Sequence, residues 1–238
     1  RSLAQEHNKA IATRISEEAK LKDYFSGINK NSKEFRDFAN GTTMSNVDFE
    51  GHKISLMEAV KFVKICDTMR AFAKDNKRPD WQRVAALGGF AFEGKDGKPV
   101  FVDIQGSKKN NGAERVKWVQ EHYDAAMAEI QANKAASEYM KACEEMYWDA
   151  SQTAEKVHSK VNGYERYMYG KGKYTDIHYA NKNGTVDFSY KDRDAIDVHD
   201  TGIMQKRTRV NGGYVICNPM SRSIDAYISQ SLDRKSVV

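Results

Sequence analysis

Two Asp-x-His triplets in the C-terminal third of the chain begin at Asp176 and at Asp197. Residues two apart in a β-strand project from the same face, so each triplet would present a carboxylate and an imidazole together. If the two strands were neighbours, Asp176, His178, Asp197 and His199 would form a ligand set suited to Zn²⁺, Mn²⁺ or Fe²⁺. The same side chains could also supply a histidine general base oriented by a carboxylate.

Whether these four side chains meet depends on the order of the strands. The pair Asn183-Gly184 is typical of a hairpin turn and predicts that a strand over 185–190 pairs with a strand over 174–180. That pairing would separate the two triplets. Apolar residues alternate with the polar ones, so burial of one face accounts for the pattern without any chemistry. The sequence therefore favours a polar strand face, and a metal-dependent hydrolase or nuclease is an alternative.

A second set of carboxylates surrounds a predicted hairpin and has the layout of a Mg²⁺-dependent nuclease core. Asp80, Glu93 and Asp103 would hold the metal, with Lys108 close by. Gln105 stands two residues after Asp103, where such a site needs a lysine. Asp80 is also well placed to cap a helix, which accounts for it without a metal.

Tyrosines and cations alternate in the C-terminal region. Aromatic faces combined with positive charges are typical of single-stranded nucleic-acid binding. The candidate residues are Arg166, Tyr167, Tyr169, Lys171, Lys173, Lys206, Arg207 and Arg209. Segment 171–210 holds eight basic and six acidic residues, which dilutes the positive field. A nucleic-acid-binding protein is thus a further alternative.

The composition is that of a globular protein. The chain has 238 residues, 40% hydrophobic and 30% charged, and a net charge of +5. No apolar run approaches the ~20 residues that cross a bilayer, and no signal peptide opens the chain. The three cysteines lie far apart and lack a metal-binding or disulfide spacing. We therefore expect no cofactor and no membrane contact, and a location in the cytoplasm or within an assembled particle.

The predicted fold class is α+β. A helical region over 1–110 would carry a β-hairpin at 90–104, and a long central helix would run from about 112 to 161. Residues 163–238 would form an antiparallel β-sheet with a closing helix. Ser55 and Glu58 have capping-box spacing at the start of one helix, and Asn111 with Glu114 have it at the start of the long one.

The long helix has two apolar seams that are out of register near 131–137, so it either shifts register or breaks there. The second seam continues through Ala150, Ala154, Val157 and Val161. A helix of this length needs a partner helix, another subunit or a large sheet to cover it.

These features lead to a non-enzymatic structural or assembly protein as the first functional prediction. Such a protein would act through protein–protein contacts, as a homo-oligomer or part of a larger assembly. The chain begins with Arg1 rather than Met, so we expect a fragment or a processed product, which is compatible with proteolytic maturation as in virus or phage particle components.

Overall fold

The computed structural model describes residues 12, 15–16, 18–71, 80–162, 171–183, 186, 188 and 213–235. Helices and sheets both contribute, which confirms the α+β class. Residues 18–23 form an N-terminal helical segment. The helices that follow are α1 (Lys33–Ala39), α2 (Leu56–Ala71), α3 (Asp80–Ala85), α4 (Ala113–Ala132), α5 (Lys134–Asn162) and α6 (Met220–Lys235). The strands are β1 (Met44–Phe49), β2 (His52–Ser55), β3 (Gly89–Glu93), β4 (Pro99–Asp103), β5 (Tyr179–Ala180) and β6 (Tyr214–Ile216).

Helix α2 lies at the centre of the core, and its start confirms the predicted capping box. The Glu58 amide donates to the Ser55 hydroxyl at 3.2 Å, and the Ser55 amide donates to the Glu58 carboxylate at 2.7 Å. These two bonds satisfy backbone donors that the first turn leaves unpaired. Nearly every residue from Leu56 to Thr68 is buried, so this helix has no polar face over that span.

The strands form a two-stranded hairpin, β1–β2, and a four-stranded sheet in the order β4-β3-β6-β5. The predicted hairpin at 90–104 is confirmed as β3–β4. In the C-terminal region β5 pairs antiparallel with β6, whereas the predicted partner was a strand over 185–190, and β6 also joins β3 in parallel. A parallel pairing needs a long crossover connection, and the chain between β3 and β6 contains α4 and α5. The sheet is therefore mixed and combines the middle of the chain with its C-terminal region.

The predicted long helix is two helices, and the break lies inside the predicted window. Asn133 has an extended backbone (φ −103°, ψ 115°) between α4 and α5. Its side-chain oxygen accepts from the Ala136 amide at 2.9 Å, and the Glu34 carboxylate accepts from the Lys134 amide at 3.1 Å. An asparagine cap and an acidic side chain at the first turn both favour a new helix start at this point.

The predicted cap of the long helix at Asn111 and Glu114 is wrong. A short 3₁₀ turn precedes α4, and Gly112 takes the cap position with a left-handed φ of 69° and no side-chain cap bond. The Glu114 carboxylate instead accepts from the Ser107 amide at 2.8 Å. The acidic residue thus anchors the preceding loop.

Two apolar clusters lie on opposite faces of the four-stranded sheet. The larger one packs Phe90, Phe92 and Val215 against α2, α4 and α5. The smaller one contains Ala91, Ala180, Phe188 and Ile216. Within the described residues, no helix combines the length and apolar character that crossing a bilayer requires.

Candidate functional site

Two lysines on α2, Lys61 and Lys64, are completely buried in the core. They lie three residues apart and therefore share one side of the helix. A buried ammonium group is costly unless it is paired and hydrogen-bonded, so the partners of these two cations define a polar centre within the protein.

Lys61 reaches the chain near Asp176. Its ammonium donates to the Asp176 carbonyl oxygen at 2.6 Å and to the Thr175 hydroxyl at 3.2 Å. The Asp176 carboxylate lies 3.6 Å from the same nitrogen. A residue in the middle of α2 thereby holds both the backbone and the charge of a distant segment.

The Asp176 carboxylate is the second component of this centre. It accepts from the Tyr147 hydroxyl at 2.7 Å and from the His178 ring Nε2 at 3.1 Å. Burial alone would raise the pKa of Asp176, but the Lys61 charge and the bonds from His178 and Tyr147 hold it well below its usual range. Burial, together with the adjacent Asp176 charge, raises the pKa of Tyr147 well above normal, so the phenol keeps its proton.

Lys64 makes a parallel set of contacts one turn further along α2. Its ammonium donates to the Glu144 carboxylate at 2.8 Å and to the Gly172 carbonyl oxygen, and it lies 3.7 Å from the Asp67 carboxylate. Asp67 in turn accepts from the Tyr123 hydroxyl at 2.9 Å. These contacts link α2 to α4, to α5 and to the chain at Gly172.

Residues 172–178 form the segment on which both lysines converge, here called the clamped segment. It has no regular secondary structure, so its backbone groups need partners from elsewhere. The lysines supply donors to its carbonyl groups, and the Thr68 hydroxyl accepts from the Thr175 amide at 2.8 Å. The network therefore fixes an irregular segment against α2 and α5 and leads it into β5.

The polar centre holds separate parts of the same chain together. Asp176 and His178 do contact each other, as the triplet predicts, although they precede the strand β5 instead of lying in it. A metal at Asp176 would have to compete with the buried positive charge of Lys61 only 3.6 Å away. Asp197 and His199 lie outside the described residues, among which no group of three or more His, Cys, Asp or Glu side chains could hold a metal.

Of the predicted nucleic-acid set, the described members are Lys171 and Lys173. Lys171 lies 2.5 Å from the Glu145 carboxylate, which offsets its charge, and Lys173 is exposed. The other members, Arg166, Tyr167, Tyr169, Lys206, Arg207 and Arg209, lie outside the described residues.

Two carboxylates of the second candidate set, Glu93 and Asp103, belong to separate contacts. Glu93 pairs with Arg222, whereas Asp103 accepts from the Tyr214 hydroxyl and lies 3.4 Å from the Lys182 ammonium. Glu93 and Asp103 are at opposite ends of the hairpin, and four residues of strand span ~13 Å. That separation is too large for one metal ion.

Sequence reasoning missed the two buried lysines and Glu144, the partner of Lys64. It also missed Tyr147 and Thr68, which bond to Asp176 and Thr175 of the clamped segment. The sequence contains no clear signal for the buried lysines, because polar residues recur at intervals of three and four along one side of the helix, as on a solvated helix face (Glu58, Lys61, Lys64 and Thr68). The structure buries this side, so each lysine needs a buried acceptor. Comparison of the chain with protein-family models, with curated proteins and with solved structures found no match.

Proposed function

We propose that the chain is a structural protein that acts through protein–protein contacts, with a second copy of itself as the partner. The observation that carries the proposal is the length of α5. The helix has 29 residues and ends at Asn162, and Ala150, which is partly buried against the core, is the last apolar residue whose packing is described. At 1.5 Å per residue the stretch from Ala150 to Asn162 is ~18 Å long.

The sequence of this extension is that of a contact helix. The spacing of Tyr147, which is buried in the core, continues through Ala150, Ala154, Val157 and Val161 at alternating intervals of three and four. Such spacing is typical of a helix that packs along a partner helix. We call residues 150–162 the α5 extension.

Two other helical segments reach α5 where the extension begins. The Tyr24 hydroxyl donates to the Asp149 carboxylate at 2.7 Å, and the rings of Tyr147 and Tyr227 are 4.7 Å apart. Burial and the Asp149 carboxylate raise the pKa of Tyr24 to about 12, so this bond keeps its proton at neutral pH. These contacts hold the start of the extension against the protein's own helices.

A second copy suits this surface because its charge is nearly balanced. Glu155, Lys156 and Lys160 are the charged residues of the α5 extension apart from the titratable His158. Two copies can therefore approach each other without strong repulsion. A role within a virus or phage particle stays a prediction from the sequence.

The test is a matched pair of substitutions in the α5 extension. Val157→Glu places a charge in the apolar spacing, whereas Ser159→Glu places the same charge ~200° around the helix axis. We expect sedimentation to show an oligomer for the unmodified chain and for Ser159→Glu, and a smaller species for Val157→Glu. The circular dichroism spectra of all three should agree. Equal masses for the two variants would contradict the proposal, and so would a loss of folding confined to Val157→Glu, which would place Val157 in the protein's own core.

A further inference from the structure

The four-stranded sheet has an edge strand, β4, whose outer side is unpaired within the described part of the chain. The direction of its backbone groups follows from two bonds at the ends of the hairpin. The Ile104 amide donates to the Gly88 carbonyl at 3.2 Å, and the Gly94 amide donates to the Lys98 carbonyl at 2.7 Å. Hydrogen-bonded pairs alternate along an antiparallel ladder, so even-numbered residues of β4 bond to β3. The backbone groups of Pro99, Phe101 and Asp103 therefore face outward.

These outward groups form an uneven series of donors and acceptors. Pro99 has a carbonyl and no N–H, and Phe101 has both groups. Asp103 has an N–H, but its carbonyl already accepts from the Gln105 side-chain amide at 3.2 Å. The outer edge of β4 thus lacks a donor at Pro99, and the Asp103 carbonyl already accepts one of the two hydrogen bonds that it can accept.

We propose that β4 pairs antiparallel with β4 of a second copy, about a two-fold axis that passes beside Phe101. In this register the two Phe101 residues exchange two hydrogen bonds, and each Asp103 amide donates to the Pro99 carbonyl of the other copy. The missing Pro99 donor then lies opposite the occupied Asp103 carbonyl. Four bonds form, and none of the three outward residues is left with an unsatisfied group. This inference rests on the proposed self-assembly and adds a second contact to it.

Other registers and other partners fit this edge less well. An axis beside Val102 would direct the Phe101 amide at the Asp103 carbonyl, which already accepts from Gln105, and would leave the Pro99 carbonyl unpaired. An axis beside Val100 would direct the Phe101 carbonyl at the proline nitrogen. An unrelated strand would place an ordinary acceptor opposite Pro99, which has no N–H to donate, and an unpaired group costs binding free energy.

The side chains on this face favour the same contact. Phe101 is partly exposed and packs edge-on against Tyr214, with the ring centroids 5.0 Å apart. It borders the smaller apolar cluster of the sheet. Pairing across the axis would bring the two Phe101 residues directly opposite each other, an arrangement in which aromatic side chains stabilise a sheet. The two small clusters would then become continuous.

Disulfide cross-linking of introduced cysteines in the full chain tests this register directly. The native Cys66, Cys143 and Cys217 are buried, so we expect few cross-links through them. Phe101→Cys lies on the axis and should cross-link to itself under mild oxidation. Pro99→Cys should not cross-link to itself, because the two Cα atoms at position 99 would be ~14 Å apart, beyond the ~7 Å limit for a disulfide. Mixing Pro99→Cys with Asp103→Cys should restore cross-linking. No dimer with Phe101→Cys, or equal self-linking by Pro99→Cys, would overturn the inference.

A second pair of variants tests the bonds themselves. Phe101→Pro and Phe101→Ala both remove the ring, but only proline removes the outward N–H, which β3 does not use. We expect the dissociation constant of the β4 contact to rise on the order of tenfold more for proline than for alanine. Measuring this in the Val157→Glu chain separates the two contacts. If Phe101→Pro leaves the dissociation constant unchanged, the β4 pairing alone is refuted. If Val157→Glu leaves the mass of the assembly unchanged, the helical contact alone is refuted.

Discussion

The ammonium group of Lys61 lies 2.6 Å from the backbone carbonyl oxygen of Asp176 and 3.6 Å from its carboxylate, 115 residues away in the sequence. A fully buried cation thus holds the clamped segment to the central helix. The segment leads into β5, the strand that pairs with β6. This contact therefore connects the central helix to the β5 edge of the sheet.

Replacing Lys61 with methionine should destabilise the fold by ~3 kcal/mol, because it leaves the Asp176 carboxylate without its buried cation. The free energy of unfolding in urea measures this. Lys53, an exposed residue of β2, is the matched control, and Lys53→Met should change stability by less than ~0.5 kcal/mol. In the double variant Lys61→Met with Asp176→Asn, part of the loss should be recovered. Equal costs for Lys61→Met and Lys53→Met would show that the ion pair contributes nothing.

The stability of the protein should depend on the ionisation of Asp176. Its pKa in the folded state is below the unfolded value of ~3.9, so its contribution is present above that pH and is lost as the pH falls toward the folded pKa. The stability difference between the unmodified chain and Asp176→Asn should therefore shrink from pH 7 to pH 3.

Glu58 supplies a control of opposite sign. Burial raises the pKa of Glu58, so its contribution is present at low pH and is lost as the pH rises through the folded pKa. The stability of the unmodified chain relative to Glu58→Gln should fall between pH 3 and pH 7. Two differences that both grow with pH would contradict the assignment of Glu58, and two that both fall would contradict that of Asp176.

Gly172→Ala should cost more than Gly112→Ala, although both glycines have a similar left-handed backbone, with φ of 73° and 69°. Left-handed φ costs a residue with a Cβ ~1 kcal/mol or more at either site. A Cβ at Gly172 would also lie 3.2–3.4 Å from the Glu144 carboxylate, whereas a Cβ at Gly112 meets nothing within 4 Å. We expect an excess of ~1 kcal/mol at Gly172 from this crowding. Thermal or urea unfolding measures both changes in stability. Equal losses of stability for the two variants would show that the Glu144 side chain moves aside without cost.

Arg115→Lys should be destabilising even though it conserves the charge. The buried guanidinium donates to three carbonyl oxygens, those of Ala85 at 2.9 Å, of Leu87 at 2.6 Å and of Ile104. A single ammonium cannot span this fork, so ~2 kcal/mol should be lost through unpaired carbonyl groups. The exposed Arg36→Lys is the control and should be neutral in the same unfolding assay. A neutral Arg115→Lys would mean that water or a shifted lysine replaces the fork.

The sequence predicted best where one short stretch contains the whole cause. The Ser55–Glu58 cap needs residues three apart, the β3–β4 hairpin needs one turn, and the break near Asn133 appears as a register change between two seams. At the start of α4 the capping-box spacing gave a wrong prediction. The Glu114 carboxylate accepts from the Ser107 amide of the preceding loop, and Gly112, the last residue of the 3₁₀ turn, takes the cap position.

Contacts between distant residues could not be predicted from spacing alone. The parallel pairing of β3 with β6 depends on how α4 and α5 cross the molecule. Neither the burial of Lys61 and Lys64 nor their acceptors could be identified, since the alternation over 174–180 predicted a strand where the structure has an irregular segment. The contact between Asp176 and His178 was predictable because they are two residues apart, whereas the Tyr147 bond to the same carboxylate was not.

The most direct test of the central claim is the molecular mass of the unmodified chain in solution, measured by sedimentation equilibrium over a wide concentration range. We predict a mass above that of one 27.0 kDa chain, rising with concentration toward a defined oligomer. A single species of 27.0 kDa at every concentration would contradict it.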